Sequence, residues 1–266
     1  TGLYCELDGR FPHHHPDPTV LENLADLMRA VKEHKADVGI GYDGDADRIG
    51  AVDEHGQVLW GDRLLVIYSR DILAVKPGST IISEVKASQS LYDDIAKHGG
   101  RPVMWKTGHS LIKAKMKEEK AVLAGEMSGH MFFADRYFGY DDAVYASCRL
   151  VEILAKGVKP LSALVADLPD TTVTPEIRVD LPDAIKFDVV KRVRDRFETY
   201  ARTKQGIGPE QRRVRELVTI DGVRAVFEDG WGLIRALNTQ PALVLRFEAT
   251  TPAKLDAIRA IVEGEL

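Results

Sequence analysis

Residues 80–125 read TIISEVKASQSLYDDIAKHGGRPVMWKTGHSLIKAKMKEEKAVLAG. Short apolar runs at 80–83 (TIIS), 102–105 (PVMW) and 121–125 (AVLAG) read as buried strands. The intervening stretches 88–98 and 110–119 read as helices. Strand and helix alternating in this way are the signature of an α/β layer built on a mostly parallel sheet.

The same reading extends in both directions. A helix is expected over 61–75, just ahead of the alternating block. Before it, DVGIGY (37–42) and IGAVD (49–53) form a hairpin closed by the turn EHGQ. A helix over 19–34 carries Leu21, Leu24, Leu27, Met28 and Val31 at three- and four-residue spacing, and Pro18 and Thr19 supply its start. Helical segments at 141–156 and 161–167 lead to LPDTTVTPE (168–176), a proline- and threonine-bearing linker. Beyond it come a strand at 173–180, a helix at 183–201, strands near 214–220, 223–228 and 242–248, and a last helix at 252–264. That rhythm is a small C-terminal α+β domain with an antiparallel sheet. The expected division is 1–57, 58–169 and 170–266.

Bulk properties exclude several classes. At 266 residues the chain can build two or three cores. Hydrophobic residues make up 44% and charged residues 29%, as in an ordinary soluble globular protein. The net charge of −5, with no basic run, argues against nucleic acid as partner. No apolar run approaches a membrane span. Cys5 and Cys148 lack a C-x-x-C spacing, which argues against a disulfide framework or structural zinc and suits a reducing, cytosolic compartment. The opening TGLYCELDG already resembles the inside of a strand, and the expectation is a piece of a longer protein.

Between the hairpin strands lies YDGDADR (42–48), in which Asp43, Asp45 and Asp47 alternate and Arg48 follows. Three readings compete. A solvated turn leaves the carboxylates repelling one another. A calcium loop counted from Asp43 places Asp45, Asp47 and Glu54 at positions 3, 5 and 12, but Arg48 stands where glycine is needed and strands replace the flanking helices. A magnesium site for phosphoryl chemistry fits best: the carboxylates converge as Gly44 lets the loop curl, and Arg48 at the rim pairs with a phosphate.

Three further stretches carry polar chemistry. KTGHS (106–110) ends a strand and begins a helix, so Thr107 and Gly108 either offer backbone N–H groups to an anion or serve as a cap. In GEMSGH (125–130), Glu126 and Ser128 are alternate residues that offer an acceptor and a donor to a sugar's vicinal diol. The plainer reading is a polar turn with His130 as a surface histidine. RALNTQP (235–241) supplies Arg235, Asn238 and Thr239, either as a phosphate clamp or as an ordinary turn. The run HHH (13–15) is assigned no metal, because consecutive side chains diverge.

Taken in order, FPHHHPDP, DGDADR, VKAS, KTGHSLIK, GEMSGH and RALNTQP resemble the α-D-phosphohexomutases, most closely the bacterial phosphomannomutase/phosphoglucomutase branch. The resemblance spans essentially the whole chain. It implies four domains around one cleft, and transfer of a phosphoryl group between O1 and O6 of a hexose through a bisphosphorylated intermediate, with a phosphoserine as donor. It implies Asp43, Asp45 and Asp47 as magnesium ligands, Arg48 beside the transferring group, and Lys86, Thr107, Gly108 and His109 lining the sugar-phosphate cleft. Glu126 and Ser128 match the grip on the sugar hydroxyls, His130 a proton-transfer partner, and Arg235, Asn238 and Thr239 the clamp on the non-reacting phosphate. The implied ligands are hexose 1-phosphate, hexose 6-phosphate and hexose 1,6-bisphosphate, and the grip does not read O2, which admits glucose and mannose alike.

Two departures bear on activity. No T-A-S-H-N-P-like phosphoserine loop occurs, so the expectation is a C-terminal portion that needs the enzyme's N-terminal domain and is inactive alone. Leu237 also stands where the family's Arg-Ala-Ser-Asn-Thr clamp has serine, forfeiting a hydrogen bond of about 1 kcal/mol or somewhat more, since the acceptor is charged. The alternatives are a non-catalytic sugar-phosphate-binding module and a magnesium phosphatase using one aspartate of the loop as nucleophile, which would be sensitive to Asp43→Asn.

Overall fold

The computed structural model describes residues 1–6, 8–238 and 240–266. The chain divides into two compact units, Thr1–Leu168 and Pro169–Leu266.

In the first unit, a 3-10 turn over Leu21–Leu24 runs into α1 (Ala25–His34), so the start of the helix expected from 19 is wound more tightly. Strands β1 (Val38–Tyr42), β2 (Ile49–Asp53) and β3 (Val58–Leu59) form an antiparallel sheet in that order. The β1–β2 register pairs Tyr42 with Ile49, and the acidic loop is therefore the tip of this hairpin.

The helix α2 (Gly61–Val75) buries Leu64, Leu65, Ile67, Tyr68 and Ile72. It is followed by β4 (Thr80–Glu84), α3 (Gln89–Lys97), β5 (Arg101–Trp105), α4 (His109–Glu119), β6 (Leu123–Gly125), β7 (Met131–Phe133) and α5 (Ala143–Lys156). Ser88 and Asp142 cap α3 and α5 by accepting backbone N–H groups. The sheet order is β5-β4-β6-β7, with β4 parallel to β5 and β6, and β7 antiparallel to β6. The mostly parallel sheet is as the alternation predicts. Ile81, Ile82, Leu123 and Ala124 have no exposure, as befits strands covered on both faces. The sequence reading missed β7, three residues too short to show a period. It also overextended 161–167, where only a 3-10 turn over Ser162–Leu164 forms.

The second unit contains β8 (Thr172–Val173), β9 (Ile177–Asp180), α6 (Asp183–Thr203), β10 (Glu216–Val218), β11 (Val223–Val226), β12 (Gly230–Ala236), β13 (Ala242–Ala249) and α7 (Pro252–Glu263). Its pairings are antiparallel in the order β10-β11-β12-β13-β8, with β9 also on β13. The strand expected over 173–180 is split in two. Pro175 has no N–H to give the ladder, and at this break the Phe247 N–H donates to the Thr174 hydroxyl at 3.1 Å and not to a backbone carbonyl. The reading also missed β12, whose glycines at 230 and 232 and arginine at 235 dilute a strand signal. One face of this sheet packs Ile234, Leu245 and Phe247 against Val193 and Phe197 of α6 and Ile258 of α7. No helix among the described residues is long and apolar enough to cross a membrane.

Candidate functional site

The carboxyl ends of parallel strands are where α/β sheets collect ligand-binding loops. Here β4, β5 and β6 end side by side, and Lys86, Thr107–His109 and Glu126–His130 follow them in turn. Against these ends lies the tip of the β1–β2 hairpin. Arg48 bridges to His130, and the Ile49 N–H donates to the Gly129 carbonyl at 3.1 Å. Gly129 has φ +96°, and a Cβ there would lie 2.4 Å from the Ile49 oxygen, so only glycine permits this approach.

Within the hairpin tip, Asp43, Asp45 and Asp47 each bring a carboxylate oxygen within 4.8 Å of the others. Asp43 is buried and organises the loop. Its Oδ1 accepts the N–H groups of Asp47 and Arg48 at 3.1 Å each, and its Oδ2 accepts Arg48 Nε at 2.6 Å. Burial pushes the Asp43 carboxyl up, but these hydrogen bonds and the Arg48 charge outweigh it and hold it below the ordinary range. Asp47 goes the other way: burial and the charges of Asp43 and Asp45 push it up, against the pull of His130. A hard, all-oxygen donor set under this mutual repulsion fits a divalent cation.

The loop curls differently from expectation. Gly44 is not in the left-handed region, and Ala46 is, with φ 59°. Its carbonyl thereby reaches the Ala143 N–H at the start of α5, at 3.0 Å. Arg48 Nη1 also contacts Asp17 Oδ1 at 3.2 Å, which ties the FPHHHPDP segment to the hairpin tip.

The alternate residues Glu126 and Ser128 do turn the same way, and both meet His130. Glu126 Oε2 lies 3.0 Å from Nδ1, and Ser128 Oγ lies 2.8 Å from the same nitrogen. Nε2 faces Asp47 Oδ1 at 3.3 Å. Burial alone would lower the His130 pKa, but the bond to Glu126 and the charges of Glu126, Asp47 and Asp141 raise it overall. His130 is therefore half-buried within a polar network, which corrects the plainer reading of a surface histidine.

At the N-terminus of α4, Gly108 is the N-cap residue, and its N–H donates to Glu126 Oε1 at 2.7 Å. The anion expected at this helix end is thus a carboxylate of the protein itself. His109 Nδ1 lies 3.3 Å from Asp141 Oδ2, and its ring is nearly parallel to that of His130 at 5.8 Å.

Sequence reasoning passed over Glu84, Lys113 and Asp141. Glu84, with no exposure, ends β4, accepts the Met127 N–H at 2.9 Å and lies 3.6 Å from Lys86 Nζ. Burial and the Glu126 charge raise its pKa against the pull of Lys86 and Thr107. Its one signal is a charge closing an apolar strand. Lys113, one helical turn after His109, donates to Asp141 at 2.9 Å.

In the second unit, Arg235 lies on β12, buried, with Nε donating to Asp221 at 3.0 Å. Asn238 follows, exposed, in the connection to β13. Thr239 lies outside the described residues.

Family models of phosphoglucomutase/phosphomannomutase match 2–56 (alpha/beta/alpha domain II), 60–172 (alpha/beta/alpha domain III) and 176–265 (C-terminal domain). The chain belongs to the phosphoglucomutase/phosphomannomutase family. Among its relatives, the phosphomannomutase/phosphoglucomutase of Pseudomonas syringae pv. tomato is 47% identical over 264 residues, 99% of this chain and 54% of that protein. The phosphoglucomutase of Neisseria gonorrhoeae is 44% identical, over 99% of this chain and 56% of its own. The solved structure of a phosphoglucomutase/phosphomannomutase family protein from Burkholderia thailandensis superposes with TM-score 0.86 at 42% identity, covering 99% of this chain and 54% of that one. The chain spans about half the length of these relatives.

Proposed function

We propose that these residues are the metal- and sugar-phosphate-binding part of a phosphohexomutase that interconverts hexose 1-phosphate and hexose 6-phosphate of glucose, mannose or both. In this reading the phosphoseryl group that passes the phosphoryl group to and from hexose 1,6-bisphosphate belongs to an N-terminal domain in the half of the relatives' length that these residues do not cover. Residues 1–57 carry the metal loop, 58–169 the sugar site and 170–266 the phosphate clamp. The observation that carries this reading is the hairpin tip, where three carboxylates within 4.8 Å and Arg48 sit against His130.

Asp43, Asp45 and Asp47 hold Mg2+, which supplies charge neutralisation at the transferring phosphoryl oxygens. Arg48, fixed through Nε by Asp43, presents its guanidinium to the same phosphoryl group. Lys86, Thr107, Gly108 and His109 line the sugar-phosphate site. Glu126 and Ser128 exchange their hold on His130 for the sugar hydroxyls, and that exchange frees His130 for proton transfer at the attacking or leaving oxygen. Arg235, Asn238 and Thr239 bind the phosphate that is not reacting.

Calorimetric titration with glucose 1-phosphate, magnesium present and inorganic phosphate as control, tests the reading. Selective sugar-phosphate binding, lost in Glu126→Ala and Arg235→Ala, is expected without turnover by these residues alone. Equal affinity for inorganic phosphate would overturn the sugar site, and sustained isomerisation would overturn the need for another domain.

A further inference from the structure

A buried lysine stands behind the connection that carries Asn238. Lys186 lies in the first turn of α6, and its side chain is 2% exposed. Its Nζ donates to the Leu237 carbonyl, to the Gln240 carbonyl at 2.9 Å, and to Asp183 Oδ1 at 2.6 Å. A lysine head group has three N–H donors, and these three acceptors use all of them. Two of the three are backbone oxygens more than fifty residues away in sequence. Removing a lysine head group from water is costly unless every donor is met, so packing alone does not account for it. An apolar side chain would serve helix packing better.

What the arrangement does is directional. The connection between β12 and β13 is closed by Leu237 N–H to the Ala242 carbonyl (2.9 Å) and Ala242 N–H to the Gln240 carbonyl (2.8 Å). The Pro241 carbonyl accepts the Leu181 N–H at 2.8 Å. The carbonyls of residues 237, 240 and 241 are thus committed to partners within the unit. A carbonyl oxygen turned toward a phosphate repels it, and a carbonyl held by Lys186 is not available to turn.

We propose that Lys186 is a positioning residue for phosphate binding: it draws the Leu237 and Gln240 carbonyls away from the ligand and fixes the connection on which Asn238 is presented. This rests on the reading of Arg235 and Asn238 as a phosphate-binding group.

The test compares wild type, Lys186→Met and Lys186→Arg by amide hydrogen exchange and by calorimetry with glucose 1-phosphate and magnesium. In Lys186→Met, exchange at Leu237 and Ala242 is expected to rise by about tenfold or more while Ile234 and Leu245 stay protected, and affinity to fall about tenfold. Lys186→Arg, which keeps a cation and its donors, recovers part of that affinity. Should Lys186→Met not fold, Lys186→Gln takes its place with the same readouts. Unchanged exchange at Leu237 and Ala242, or faster exchange with unchanged affinity, overturns the proposal. Exchange that rises across all of the unit Pro169–Leu266 also overturns it, by assigning Lys186 to general stability. Failure of the underlying reading looks different: wild type and Arg235→Ala then bind glucose 1-phosphate alike, or neither binds it.

Discussion

Glu126 and His130, four residues apart around the turn between β6 and β7, hold each other through a 3.0 Å contact from Oε2 to Nδ1. Each shifts the other against the effect of burial, which would neutralise both. Burial raises the Glu126 pKa, but His130 and the Gly108 N–H bring it below the ordinary 4.5. His130 is held above the ordinary 6.5.

The pH dependence follows from those signs. A histidine raised on folding contributes stability fully below its unfolded value, and loses it as pH rises through the folded value. A depressed glutamate contributes above its unfolded value and loses it as pH falls through the folded one. The pair therefore contributes most between 4.5 and 6.5. Glu126→Gln should lower the melting temperature most in that window and progressively less at higher pH, in EDTA, with the His130 ring titrating lower by NMR. A melting difference independent of pH would reject the coupling.

Magnesium should stabilise the first unit through the hairpin tip. Ligand at a hundred times its Kd adds about 2.7 kcal/mol. Asp47 must be ionised to contribute, and burial with the charges of Asp43 and Asp45 holds its carboxyl above the ordinary 3.8. The magnesium effect should then fade on acidification at a higher pH than an isolated aspartate would give. Asp45→Asn, at an exposed position, should remove most of the effect without unfolding the protein. A melting temperature that magnesium does not move, or moves equally in Asp45→Asn, would dismiss the metal site.

The hairpin tip also makes a prediction about its backbone. Ala46 pays for a left-handed conformation, about 1 kcal/mol for an L-residue, and glycine there loses a similar amount through the unfolded chain. Ala46→Gly should change stability by less than about 1 kcal/mol. Gly44→Ala should be similarly mild, because the nearest atom is the Pro16 Cγ at 3.3 Å and φ is not left-handed. Gly129→Ala, 2.4 Å from the Ile49 oxygen, should cost about 2 kcal/mol or more. Urea unfolding gives the ordering, and a Gly44→Ala loss exceeding that of Gly129→Ala would contradict it.

What could be read before the structure, and what could not, divides along a physical line. The parallel strands were legible because Ile81, Ile82, Leu123 and Ala124 are apolar on both faces, and that is a local pattern. The acidic tip was legible because three like charges at alternate positions need a reason wherever they lie. The partners of Glu126 were not legible. Gly108 follows β5 and donates to Glu126, and Glu84 ends β4 and accepts the N–H of the neighbouring Met127; both reach the turn after β6 only because the sheet order is β5-β4-β6. Strand order is a long-range property that spacing does not encode. For the same reason Gly44 was credited with a curl that the contact of Ala46 with Ala143 imposes one residue pair later.

The departure at Leu237 can be tested in the direction of gain. Its N–H is paired with Ala242 and its carbonyl with Lys186, so a change of side chain leaves the backbone of the connection tied at both ends. On the proposed reading of Arg235 and Asn238 as a phosphate-binding group, Leu237→Ser introduces a hydroxyl donor beside it. A hydrogen bond to a charged acceptor contributes about 1.5 kcal/mol or somewhat more, which corresponds to about a tenfold gain in affinity for glucose 1-phosphate. Leu237→Ala removes the same apolar bulk without supplying a donor, and it should leave affinity near the wild-type value. If the alanine variant tightens binding as much as the serine variant, the gain comes from relieved crowding, and Leu237 forfeits no hydrogen bond. If both weaken it while exchange at Leu237 and Ala242 stays slow, the leucine side chain itself supports the bound phosphate, and the serine of the family's clamp has been replaced without loss.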